Sequence, residues 1–132
     1  GTIVIASGGG GIPVYNDPTG HLEGLDAVID KDYAAAKLGR ILRAEELWII
    51  TNVKNVYRNY GRDNQESIRS LTRSEAKELY TKDEFQQGSI GPKIKAAMHF
   101  LKYHGEKVMI TSIPCIKDAM EGNAGTEIRN KA

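Results

Sequence analysis

A single cysteine, Cys115, leaves the chain with no disulfide framework and no thiolate cluster for zinc. Its three histidines, His21, His99 and His104, fit no metal-ligand spacing, so no metal centre is expected from side chains alone. An excess of charge is also lacking. Lys and Arg number 18 against 17 Asp and Glu, for a formal net charge of +1. Such a balance gives no electrostatic reason to prefer nucleic acid or an anionic membrane surface. No apolar stretch approaches the roughly 20 residues that span a bilayer. The run Ile3 to Ala6 is short and lacks the basic n-region of a signal peptide, so the cytoplasm is the expected compartment.

What remains is glycine and α/β patterning. The 132 residues suit one domain, 1–132, that buries roughly two-thirds of the surface exposed when unfolded. The β-branched run Thr2 to Ala6 reads as a buried strand that ends in a loop of four glycines, Gly8 to Gly11, after Ser7. Asn16 to Gly20 has the turn chemistry of a hairpin. A helix is expected from about Asp32 to Arg43, with an apolar stripe at Ala34, Leu38, Ile41 and Leu42 and with Asp30 or Asp32 as its cap. Leu47 to Ile50 reads as the second strand, and the polar segment 54–69 as a loop excursion. Thr72 and Glu75 form a capping box for a helix through Tyr80. A further helix opens at Pro92, buries Ile94, Ala97, Met98 and Leu101, and stops at Gly105 in the C′ position. Val108 to Thr111 is a third strand, followed by a helix near Ile116 to Met120 and a terminal segment. Alternating strands and helices imply α/β architecture, with a mostly parallel sheet covered by helices on both faces.

Three segments of this pattern suit an anion. Bare glycine backbone lets a ligand approach several N–H groups at once. Alone, such a loop is a flexible turn, and Gly8 to Gly11 match neither the dinucleotide fingerprint nor the Walker pattern. Asp30-Lys31-Asp32 stands at one helix start and Gly88-Ser89-Ile90-Gly91-Pro92-Lys93 at another. In the first turn of its helix Lys93 opposes the dipole by about 0.3–1 kcal/mol, which an exposed lysine tolerates and a bound anion would reverse. Lys31 between two carboxylates is either locally balanced charge or a cation that reaches a transferring phosphoryl group, with one aspartate capping the helix or orienting ammonium groups. Phosphoryl transfer needs positioning and charge stabilisation more than a base, and two lysines with a glycine nest are suitable equipment.

The strings SGGGGIPV (Ser7 to Val14), AVIDKD (Ala27 to Asp32) and GSIGPKI (Gly88 to Ile94), in this order and spacing, resemble the C-terminal half of carbamate kinases in the amino acid kinase superfamily. The closing ITS (Ile110 to Ser112) and AGT (Ala124 to Thr126) are similar too. The resemblance implies the C-terminal, nucleotide-side portion of an amino acid kinase fold, and Gly1 in place of an initiating methionine reads as the start of the C-terminal portion of a longer polypeptide whose first part is cut away, disordered or in another chain. It implies transfer of phosphoryl between carbamoyl phosphate and ADP, giving ATP and carbamate, with Mg²⁺, in a cytoplasmic homodimer of arginine metabolism. Carried over by motif, Ser7, Gly8, Gly9, Gly10 and Gly11 would line the carbamate or carbamoyl phosphate site. Lys31 and Lys93 would stabilise the transferring group and Asp32 would organise them. Asp30, Thr51, Asn52, Val53, Tyr57, Gly88, Ser89, Gly91 and Lys93 would border the nucleotide. Where the family often writes Thr-Asp-Val-Asp-x-Val-Tyr, this chain has Thr51-Asn-Val-Lys-Asn-Val-Tyr57, with Asn52 and Lys54 at two acidic positions. Two other readings stay open, a related kinase with a different acceptor and a catalytically silent nucleotide-binding module.

Overall fold

A computed structural model describes residues 1–6, 8–85 and 89–131. In chain order the elements are β1 (Val14–Asn16), β2 (Leu22–Gly24), α1 (Lys31–Ile41), β3 (Glu46–Thr51), β4 (Val56–Arg58), β5 (Glu66–Ile68), β6 (Ser70–Thr72), α2 (Arg73–Thr81), α3 (Ile90–Leu101), β7 (Lys107–Ser112), α4 (Ile116–Met120) and β8 (Thr126–Arg129). A 3₁₀ turn, Ile113–Cys115, leads into α4.

The central sheet has the order β3–β7–β8–β6. β3 and β7 run parallel from Glu46 opposite Lys107 to Thr51 opposite Ser112, and β6 and β8 are also parallel. Only β7 and β8 are antiparallel, so the sheet is mixed with parallel pairing dominant. Side chains alternate across it as the strand period requires. Leu47, Ile49, Val108 and Ile110 join the main core with Ala36 of α1, Ala76 of α2 and Ile94, Ala97, Phe100 and Leu101 of α3. Trp48 and Met109, opposite each other in register, face the other way and meet Ala119 of α4 and Ala124. Helices therefore cover both faces, three on one side and the short α4 on the other.

Several local expectations hold. The turn at Asn16 to Gly20 joins β1 and β2 antiparallel. Asp30 caps α1 by accepting from the Tyr33 N–H at 2.9 Å. Thr72 and Glu75 form the full capping box of α2.

Others are corrected. Thr2 to Ala6 is not a strand, since Ile3, Val4 and Ile5 are 95%, 74% and 99% exposed. A β-prone run needs a neighbouring edge to satisfy its backbone, and no described strand pairs with it. Segment 54–69 contains the hairpin β4–β5, whose Val56 and Ile68 are buried opposite each other. Strands of three residues are too short for a period to show through polar neighbours. In α1 the buried residue is Ala36, while Ile41 and Leu42 are exposed. Small residues set this face, because α1 lies so close to α3 that a Cβ on Gly39 would come within 2.8 Å of the Phe100 ring. α3 opens at Ile90, so Pro92 is its third residue, tolerated where helical N–H groups have no intrahelical partner anyway. The same helix ends at Leu101, capped by Lys102, so Gly105 is not its C′ residue. Glycine is needed there because a Cβ would run into the Phe100 ring. The α3 carbonyl end is served instead by Asn130, whose Nδ2 donates to the Leu101 carbonyl at 2.9 Å. The terminal segment adds β8, where Thr126 and Ile128 point inward and Arg129 is outside.

Candidate active site

α1 and α3 lie side by side and are joined near their N-terminal ends by one ion pair. Lys93 Nζ donates to Asp32 Oδ2 at 2.8 Å, with only 7% and 12% of the two side chains exposed. A cation in the opening of a helix needs an anion, and here Asp32 supplies it from the first turn of α1, where a carboxylate is favoured. The two aspartates thus divide their work: Asp30 caps and Asp32 holds Lys93. The glycine loop reaches the same place. Gly10, at φ 120°, lies so close to the Ile29 carbonyl oxygen that a Cβ would collide with it.

Two hollows flank the N-terminal end of α3. The larger, about 730 Å³, is lined by Asp30 and Tyr33 of the α1 start, Gly91, Pro92 and Lys95 of α3, and a wall of Tyr80, Asp83 and Phe85. Its size falls in the range of small-molecule sites. The smaller, about 90 Å³, is lined by Asn52, Val53, Tyr57, Tyr60, Glu84, Phe85, Ser89 and Ile90. Phe85 borders both. The loop with Asn52 and Val53 leaves the carboxyl end of β3, which is where open α/β sheets receive ligands.

Asn52, Val53, Tyr57 and Ser89 therefore meet in one pocket, and Asp30 and Gly91 in the other. Thr51 closes β3 and its hydroxyl lies 3.3 Å from Asn52 Oδ1. Lys31 is exposed on the first turn of α1, and neither hollow is lined by it. Gly8, Gly9 and Gly11 are exposed, and Gly10 is half-buried. Ser7 and Gly88 lie outside the described residues. Sequence reading missed Tyr33, Tyr60, Tyr80, Asp83, Glu84, Phe85 and Lys95. Lys95, two residues beyond Lys93, was the one with a usable signal; the others around the larger hollow come together only when α1 and α2 dock on α3.

The aromatic and basic surroundings of α3 continue at His99. Its ring lies 4.7 Å from that of Tyr33 and 5.4 Å from that of Tyr103. His99 Nε2 is buried and has no hydrogen-bond partner among the described residues. Burial, with help from Lys37, Arg40 and Lys102, holds its pKa below the ordinary histidine value. Among the described residues no group of three or more His, Cys, Asp or Glu could hold a metal ion, and no helix is long and apolar enough to cross a membrane.

Comparison with known proteins gives this geometry a family. Over 130 residues the chain is 45% identical to a carbamate kinase of Staphylococcus haemolyticus, covering 98% of this chain and 42% of that one. A carbamate kinase of Thermococcus kodakarensis is 41% identical over 128 residues, covering 97% of this chain and 40% of that one. Among solved structures, carbamate kinase from Giardia lamblia bound to AMP-PNP superposes with a TM-score of 0.85 at 36% identity, over 93% of this chain and 43% of that chain. The chain thus spans about 42% of the length of such a relative. Residues 1–112 match the family model described as the amino acid kinase family. With its mixed α/β sheet, flanking helices and paired helix starts, the chain belongs to the amino acid kinase family.

Proposed function

We propose that the protein carrying this chain moves a phosphoryl group between carbamoyl phosphate and ADP, and that this chain contributes the nucleotide and phosphoryl side of the site. The observation that carries the reading is the Lys93–Asp32 pair, buried between two helix starts; neither side chain lines a hollow, but their chain neighbours Asp30, Gly91 and Pro92 line the larger one. Charge that develops on a transferring phosphoryl group is best met by dipoles and cations already in position. Asp32 fixes the Lys93 ammonium, so little reorganisation is needed when the anion arrives. Gly8 to Gly11 offer backbone N–H groups to the carbamate or carbamoyl end. Lys31, exposed on α1, is free to swing toward the phosphates.

The smaller hollow is too tight for a whole nucleotide, and its Val53, Tyr57 and Tyr60 suit the flat base, with the phosphates directed toward α3 and the larger cleft. By the family reading Mg²⁺ would accompany the nucleotide, held mainly by its phosphates and by water. When bound it would neutralise phosphate charge. By the same family reading, the remaining, N-terminal portion completes the acceptor pocket, and the whole works as a cytoplasmic homodimer in arginine metabolism.

The test is a coupled assay on the intact protein. ATP should form from ADP and carbamoyl phosphate with Mg²⁺ present. No ATP from carbamoyl phosphate, with clear turnover of another phosphoryl donor, would move the assignment to a related kinase with a different acceptor.

A further inference from the structure

The loop that carries Asn52, Val53 and Tyr57 is held from behind by side chains that the transfer chemistry does not use. Asn55 is buried, and its Nδ2 donates to the carbonyl oxygens of Gly125 at 2.8 Å and Ile68 at 3.3 Å. Thr126, fully buried at the start of β8, accepts from the Val56 N–H at 2.8 Å and donates to the same Ile68 carbonyl. From β7, Thr111 Oγ1 donates to the Lys54 carbonyl at 3.2 Å. Three consecutive residues, Lys54 to Val56, are thus pinned to the far side of the sheet, two of them across 70 positions of sequence.

This is an unusual use of a core. Buried backbone groups need partners, and where the loop enters β4 the Lys54 carbonyl and the Val56 N–H take theirs from two threonines, while the Asn55 side chain serves the carbonyls of Gly125 and Ile68. The pinned residues lie between Asn52 and Val53 on one side and Tyr57 on the other, all of which line the smaller hollow. Val56 points inward and is wholly buried, so its neighbour Tyr57 is turned outward to the hollow.

We propose that Asn55 and Thr126 are positioning residues that hold loop 52–57 in its ligand-lining shape, and thereby set nucleotide affinity and leave the transfer rate alone. The inference rests on the reading of the smaller hollow as part of the nucleotide site. Removing the Thr126 hydroxyl strands the Val56 N–H away from water, and the loop must move to satisfy it.

The test compares Thr126→Val, Thr126→Ser and Ile128→Val in the intact protein. Thr126→Val should raise the ADP KM and Kd by about tenfold, with kcat and the carbamoyl phosphate KM changed by less than about threefold. Thr126→Ser keeps the hydroxyl and should stay within about twofold of the parent. Ile128→Val, buried on the same strand, should lower the Tm without moving the ADP KM. Hydrogen exchange at the Val56 and Tyr57 amides, measured without nucleotide, should quicken in Thr126→Val and not in Ile128→Val. Should Thr126→Val fail to fold, Thr111→Val removes one bond from the same clamp and should raise the ADP KM by about threefold. A parent protein that binds ADP while Thr126→Val binds it equally well, or equal loop exchange in the two valine variants, overturns the inference alone. A parent that binds no ADP overturns the nucleotide reading and this inference with it.

Discussion

Replacing Lys93 by Met in the intact protein separates structural from chemical roles, because its partner is known. The Asp32 carboxylate, 12% exposed, would lose its only close cation among the described residues. Breaking a buried pair from one side costs about 3–5 kcal/mol. Residual solvent access and the first turn of α1 both favour the stranded carboxylate, which puts the loss at the lower end, about 3 kcal/mol. At about 2.1 cal/mol/K of unfolding entropy per residue and roughly 300 residues for an intact protein of its relatives' length, 1 kcal/mol is worth about 1.5 °C, so the Tm should fall by about 5 °C. Removing both charges with Asp32→Leu and Lys93→Met should return most of that, since an apolar replacement of a whole buried pair is often neutral or better. Turnover should not return with it. Loss of one preorganised electrostatic contact lowers kcat by about 10²–10³, and the double variant still lacks it. Calorimetric melts and the coupled ATP assay on parent, single and double variants give the four quantities needed. A double variant with recovered Tm and near-parent turnover would show the pair to be structural only. An unchanged Tm in Lys93→Met would refute the buried-pair argument itself.

Two further outcomes are expected. Gly10→Ala must hold a side chain at φ 120° against the Ile29 carbonyl, a strain of about 1–3 kcal/mol, so its Tm should fall and its carbamoyl phosphate KM should rise. Gly9→Ala has open space at its Cβ and should melt like the parent, and equal melts for the two would refute the close approach. His99 is held neutral in the folded state, so the unfolded chain takes up its proton first as pH falls. Its contribution is complete above the unfolded value near 6.5 and is lost as pH falls through the lower folded value. Melts between about pH 8 and pH 5 should show this slope, His99→Phe should flatten it, and an identical slope in that variant would refute the assignment.

What could be read from the chain depended on how local its cause was. The Asp30 cap, the Thr72–Glu75 box and the β1–β2 turn are each fixed within a few residues, and each was legible. β4, β5 and β8 were not, because three or four residues carry no period and their burial depends on Asn55 and Thr126 finding partners far along the chain. The face of α1 was misplaced for a related reason. Ile41 and Leu42 look like core residues by type, yet the close approach of Phe100 reserves the contact for Ala36 and Gly39. At the site, the residues that would meet charge were visible as motifs, whereas Tyr33, Tyr80 and Phe85 belong to a cleft that only helix docking creates. Lys93 was singled out on half an argument, since a lone helix start gave the cation no partner and only α1 could supply Asp32.

The span between those two partners also sets an order in time. Asp32 and Lys93 are 61 residues apart, and the β3–β7 register joins positions equally distant. Closing so long a loop must precede any reward from its contacts, whereas a capped helix such as α2 can form from its own residues. During refolding, helical signal should therefore appear well before Lys93 leaves water. Any activity that depends on the pair would be among the last properties the protein regains, and its recovery would report docking of α1 on α3 more faithfully than helix content does.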